Sequence, residues 1–86
     1  MRYIIDNKWM DTDTSELITC YEIGSYEYSL YITKKKNFFI RELECHRGGC
    51  LGLSCSEDKA IELIKKHSPC SLKIFFPEIS SSIEEG

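Results

Sequence analysis

The residues best suited to chemistry crowd into one stretch, E-C-H-R-G-G-C-L-G-L-S-C, where Cys45, His46, Cys50 and Cys55 share a glycine-rich segment. Thiolates and an imidazole are ligands that zinc accepts. Structural zinc sites pair ligands about two to four residues apart and separate the pairs by a longer span, whereas adjacent Cys45 and His46 point apart where they end a strand. The same opposition keeps Cys45 and His46 from acting as a local nucleophile and base. The spacing favours partly buried thiols and a solvent-facing histidine, with a zinc-stabilised adaptor as the alternative it leaves.

Two further constellations carry charge. Asp11, Asp13, Ser15, Ile18 and Glu22 follow the order of a calcium-binding loop, but the hinge that needs glycine is Glu16 and no flanking helix pair is apparent. A turn between strands, with Thr12 and Thr14 bonded to nearby backbone, accounts for the same residues. Lys34, Lys35 and Lys36, with Tyr31, Phe38 and Phe39 close by, place cations among rings in the manner of a nucleic-acid patch. A lysine-rich hairpin tip also prevents strand-to-strand aggregation, and the rings beside it suit a core. The acidic residues Asp11, Asp13, Glu16, Glu22 and Glu27 suggest the converse: a surface that imitates phosphate and occupies a basic groove on a nucleic-acid-handling protein.

The elements that position these residues belong to one small domain. A chain of 86 residues buries only about 60–65% of its unfolded surface, which disfavours a deep catalytic cleft. With 42% hydrophobic and 12% aromatic residues it is a folded rather than a disordered composition. The net charge of −3 conceals segments: residues 1–30 hold six acids against two bases, residues 31–49 five bases against two acids, and residues 50–86 six acids against four bases. No secretion signal or membrane-spanning run is visible, so a cytoplasmic protein with reduced cysteines is expected.

Arg2–Ile5 and Lys8–Met10 read as short strands about an Asp6-Asn7 turn. Asp13 and Glu16 have capping-box spacing and suggest one helical turn. Residues 16–23 alternate, with Leu17, Tyr21 and Ile23 on one side and Glu16, Cys20 and Glu22 on the other. Tyr26–Ile32 and Asn37–Glu44 form a hairpin, the second strand apolar on both faces through Phe38 and Ile40 on one and Phe39 and Leu43 on the other. Cys45–Cys55 reads as a glycine-rich loop. Ser56 then caps a helix through His67, with Ala60, Ile61, Leu63 and Ile64 as its apolar stripe and Pro69 as its stop. Residues 71–76 fit either a strand or a helical turn, and a mobile tail is expected at 80–86 after a single domain of residues 1–79.

Four stretches, Ile4–Leu17, Leu30–Phe39, Gly48-Gly49 and Ser56–His67, together resemble a group of small, mostly uncharacterised proteins of phages and mobile elements in Gram-positive bacteria. The resemblance implies a compact meander with a helical C-terminal part, which favours the helical reading of 71–76. The cysteines around Gly48-Gly49 and the shortened stretch before the helix depart from the pattern, so no functional residue is carried over.

The expected fold is therefore α+β: an antiparallel meander of four to five strands from residues 2–44, covered on one face by helix 56–67. The expected function is non-enzymatic and needs no cofactor. It is to bind and block a host protein or nucleoprotein complex with a basic surface, as an anti-defence inhibitor such as an anti-CRISPR does, through Asp11, Asp13, Glu16, Glu22 and Glu27. That class is analogy from the resemblance. Direct binding of free nucleic acid is not expected, and a nucleic-acid-binding regulator acting through Lys34–Lys36 is the alternative.

Overall fold

A computed structural model describes residues 1–83 of the chain. Strands β1 (Arg2–Ile5) and β2 (Lys8–Asp11) pair antiparallel as a two-stranded sheet, with Ile5 opposite Lys8 and Ile4 opposite Trp9. Their connection is Asp6-Asn7, both at positive φ (53° and 61°). Short polar side chains tolerate this left-handed conformation, and it gives the turn a twist that matches the strands.

A second sheet holds β3 (Glu16–Ile23), β4 (Tyr26–Ile32), β5 (Phe38–Glu44) and β6 (Cys50–Cys55), neighbours in chain order and all antiparallel. The aromatic hairpin read from sequence is its centre, with Leu30 opposite Ile40 and Tyr31 opposite Phe39. The four-stranded meander is thus built from residues 16–55, and residues 2–11 form a separate sheet rather than its first strands. Residues 50–55, expected in a loop, are strand β6: their backbone completes the ladder along β5, from Leu43 opposite Cys50 to Phe38 opposite Cys55.

Residues 12–15 turn without making a helix, so the capping-box reading of Asp13 and Glu16 does not hold. The Asp13 amide donates to Asp11 Oδ1 at 2.9 Å and the Ser15 hydroxyl to the Asp11 carbonyl, leaving Glu16 to open β3. A bulge between Leu17 and Thr19 also breaks the simple alternation of that strand. Ile18 and Thr19 are buried as a result, while Leu17 and Ile23, expected to share an inner face with Tyr21, are exposed.

Helix α1 (Glu57–His67) begins where expected. The Ser56 hydroxyl accepts the Lys59 amide at 3.2 Å, acids occupy the first turn and bases the last. A 3₁₀ turn (Pro69–Ser71), helix α2 (Leu72–Phe75) and helix α3 (Pro77–Ser82) follow, so residues 71–75 take the helical alternative and Phe76 is the non-helical link between α2 and α3. Pro77 starts α3, where a missing amide hydrogen costs no helical bond. Of the tail expected from residue 80, residues 80–82 close α3, and residues 84–86 lie outside the described residues.

Both faces of the four-stranded sheet are covered. On one, Ile18, Leu30 and Ile40 pack with Ala60, Leu63, Ile64 and Leu72 of the helical layer. On the other, Phe39 is enclosed by Ile5 and Met10 of the β1–β2 hairpin, with Tyr3 and Tyr31 alongside. Gly52 is where the hairpin seats: a Cβ there would lie 2.6 Å from the Tyr3 ring. The glycine serves close approach rather than flexibility. Among the described residues no helix is long and apolar enough to cross a membrane.

Candidate functional site

The five acidic residues singled out in the sequence occupy two places. Asp11 ends β2, Asp13 lies in the following turn and Glu16 opens β3. Glu22 and Glu27 face each other across β3 and β4 at the opposite end of the sheet, about 20 Å along the strand from Glu16. The first group meets the Met1 amino group, which lies 3.1 Å from Asp13 Oδ2 and 3.7 Å from Asp11 Oδ1.

The same distance disposes of the calcium-loop spacing, because Glu22 is a strand's length from Asp11 and Asp13. The Cys/His run is divided in a similar way. Cys45 and His46 sit exposed in the β5–β6 turn, Cys50 opens β6 and Cys55 closes it. Cys50 and Cys55 are thus about 17 Å apart on opposite faces of an extended strand. Burial pushes the Cys55 thiol up to about 11, so it stays protonated and apolar in character near neutrality. Among the described residues no three His, Cys, Asp or Glu side chains gather closely enough to hold a metal ion.

The lysine turn, by contrast, meets the acidic turn. Lys34, Lys35 and Lys36 form the β4–β5 connection, with Lys36 at φ 68° and the loop closed by the Thr33 amide on the Asn37 carbonyl at 2.8 Å. Two grooves flank this turn. One, about 570 Å³, lies between Asp13–Glu16 and Thr33, Lys34 and Lys36, with Ile32 and Phe75 also in its lining. The other, about 690 Å³, runs between the lysine turn and the β1–β2 hairpin. Its rim holds Arg2, Lys8, Lys34 and Lys35, and Asp11 is its acidic residue.

Trp9 completes the second groove. It is 61% exposed, large for an indole, and the Arg2 guanidinium lies over its ring at 4.2 Å from the centroid. Ile4, opposite Trp9 on the outward face of the hairpin, is 67% exposed. Arg2, Lys8 and Trp9 were not among the sequence candidates. For Arg2 and Trp9 the signal was the alternation of R-Y-I-I and K-W-M-D, in which Tyr3, Ile5 and Met10 turn inward and Arg2, Ile4 and Trp9 turn outward; Lys8, opposite Ile5 beside the turn, had no such signal. Only the hairpin's docking onto the sheet brings these residues beside the lysine turn, so the alternation alone could not name the site.

Compared with known proteins, the chain matches no family model, and searches of curated proteins and of solved structures return no match.

Proposed function

We propose that this protein is a non-enzymatic binder that blocks a host factor, an anti-defence inhibitor of the kind anti-CRISPR proteins represent. The observation that carries the reading is the meeting of the 11–16 and 33–37 turns around two grooves, beside the exposed pair Trp9 and Ile4. Tryptophan and arginine with an apolar neighbour, rimmed by charges of both signs, are what binding surfaces present at their energetic centre. The inhibitor class is carried by the resemblance to phage and mobile-element proteins. The partner it calls for is a host nucleoprotein complex whose basic surface takes Asp13 and Glu16.

The test is interference in a living host. Expressed in a bacterium with an active CRISPR system, the protein should restore plaque formation by a targeted phage. An Asp11/Asp13/Glu16→Lys variant of unchanged circular dichroism should fail to do so. Full immunity in the presence of abundant folded protein, across hosts carrying different defence systems, would reject the inhibitor reading.

A further inference from the structure

We infer that the groove between the β1–β2 hairpin and the lysine turn is a binding site for single-stranded nucleic acid, with Trp9 as its stacking platform. In a chain of net charge −3, residues remote in sequence bring four cations, Arg2, Lys8, Lys34 and Lys35, to one concave surface. Asp11, the acidic residue of that lining, is 25% exposed and has the Met1 amino group 3.7 Å away. Among the described residues no carboxylate lies within ion-pair distance of these four side chains. Their positive charge is thus available to a ligand, and phosphates spaced along a strand fit charges spaced along a groove.

The aromatic component decides between possible anions. Trp9 exposes an apolar ring at the groove, an arrangement that a ligand with a flat face would cover. The Arg2 guanidinium lies over one face of that indole, 4.2 Å from its centroid, and arginine planes also stack on bases. Asn7, Asn37 and Thr33 add amide and hydroxyl groups able to meet base edges. A polyacidic peptide would use the cations but has no flat face to cover the indole. A duplex keeps its base faces stacked away from such a ring, so the strand bound is single.

This inference reverses the expectation from sequence that free nucleic acid is not bound, because Arg2, Lys8 and Trp9 join the lysine turn only in the fold. It rests on the binder reading but not on any particular host factor, and its test uses the purified chain alone. Trp9 is the one tryptophan, so its fluorescence reports directly on the groove. Titration with an oligothymidylate or oligouridylate should quench and shift that emission, with much weaker effects from a duplex of equal length or from polyglutamate. Lys34→Gln/Lys35→Gln should lower affinity and reduce the slope of log affinity against log salt by about 1.4. Trp9→Ala, followed by anisotropy of a labelled oligonucleotide, should weaken binding roughly tenfold while leaving the salt slope in place. Lys65→Gln/Lys66→Gln removes equal charge from the end of α1 and should leave affinity close to the parent. Absence of binding at physiological salt would overturn the inference. Polyglutamate binding as tightly as the oligonucleotide, or equal losses from both double lysine variants, would do the same. Nucleic-acid binding without restored phage growth would leave this site standing and remove the inhibitor reading instead.

Discussion

The two faces of the four-stranded sheet are covered by different means and to different ends. The helical layer joins a contiguous core in which Leu30, Ala60 and Ile64 are 0% exposed. The hairpin encloses a much smaller cluster around Phe39 and turns Arg2, Ile4 and Trp9 outward. One face supplies the cohesion that lets a small domain fold, and the other uses a modest contact to hold the proposed binding groove against the lysine turn. On the proposed reading, stability and recognition lie on opposite sides of one layer of backbone, and substitutions should affect them separately.

The strongest test of that separation is Phe39→Ala. Phe39 is fully buried under the hairpin, and its loss should cost about 3–5 kcal/mol by chemical denaturation. Much of the loss should appear as hairpin detachment, seen as faster amide exchange at Tyr3 and Met10 than at β4. Uniform exchange across both sheets would mean that the two faces form one inseparable core.

On the opposite face, Leu30→Ala or Ile64→Ala should cost about 2–5 kcal/mol. Here hairpin and sheet should melt together, because the meander has lost its own support. A variant that melts like the parent would show that the helical layer is not the principal source of stability.

Gly52→Ala sharpens the comparison by overfilling the hairpin seat. The added methyl would lie 2.6 to 2.9 Å from three atoms of Tyr3, including its Cβ and ring. The hairpin must shift, at a cost of about 1–3 kcal/mol. Groove-dependent oligonucleotide binding should fall while the helical signal in circular dichroism remains. Binding at parental strength would disconnect the groove from the hairpin's position.

The smallest effect expected belongs to Cys55, at the edge of the helix-covered core. Its folded-state pKa is raised from 9.0 to about 11 by burial. Between those values the unfolded chain releases the thiol proton and the folded chain retains it. The Cys55 titration should therefore leave stability unchanged below pH 9 and lower it as pH rises from 9 towards 11. Cys55→Ala should flatten the first part of that decline. Burial raises Tyr21 in the same direction from 10.0, so the interval from pH 9 to 10 is the one that isolates the thiol. An unchanged slope there in the variant would place the titration elsewhere.

The sequence by itself determined what local patterns can specify. Alternating aromatics gave the β4–β5 hairpin, Asp6-Asn7 the turn between β1 and β2, and Ser56 with an apolar stripe the limits of α1, because turn chemistry, strand period and capping each involve residues close in the chain. Phe38 with Ile40 and Phe39 with Leu43 also announced that β5 has two apolar faces. Tertiary structure decided the rest. Cys45–Cys55 looked like a loop because glycine serves flexibility and close approach alike, and only the Tyr3 ring over Gly52 distinguishes them. The bulge that exchanges Leu17 for Ile18 follows from pairing with β4, which a single strand's pattern does not contain. The candidate site is the clearest case. The lysine turn was legible as charge, but Arg2, Lys8 and Trp9 reach it only because the hairpin folds back across the sheet, and electrostatic fields add in space rather than along the chain.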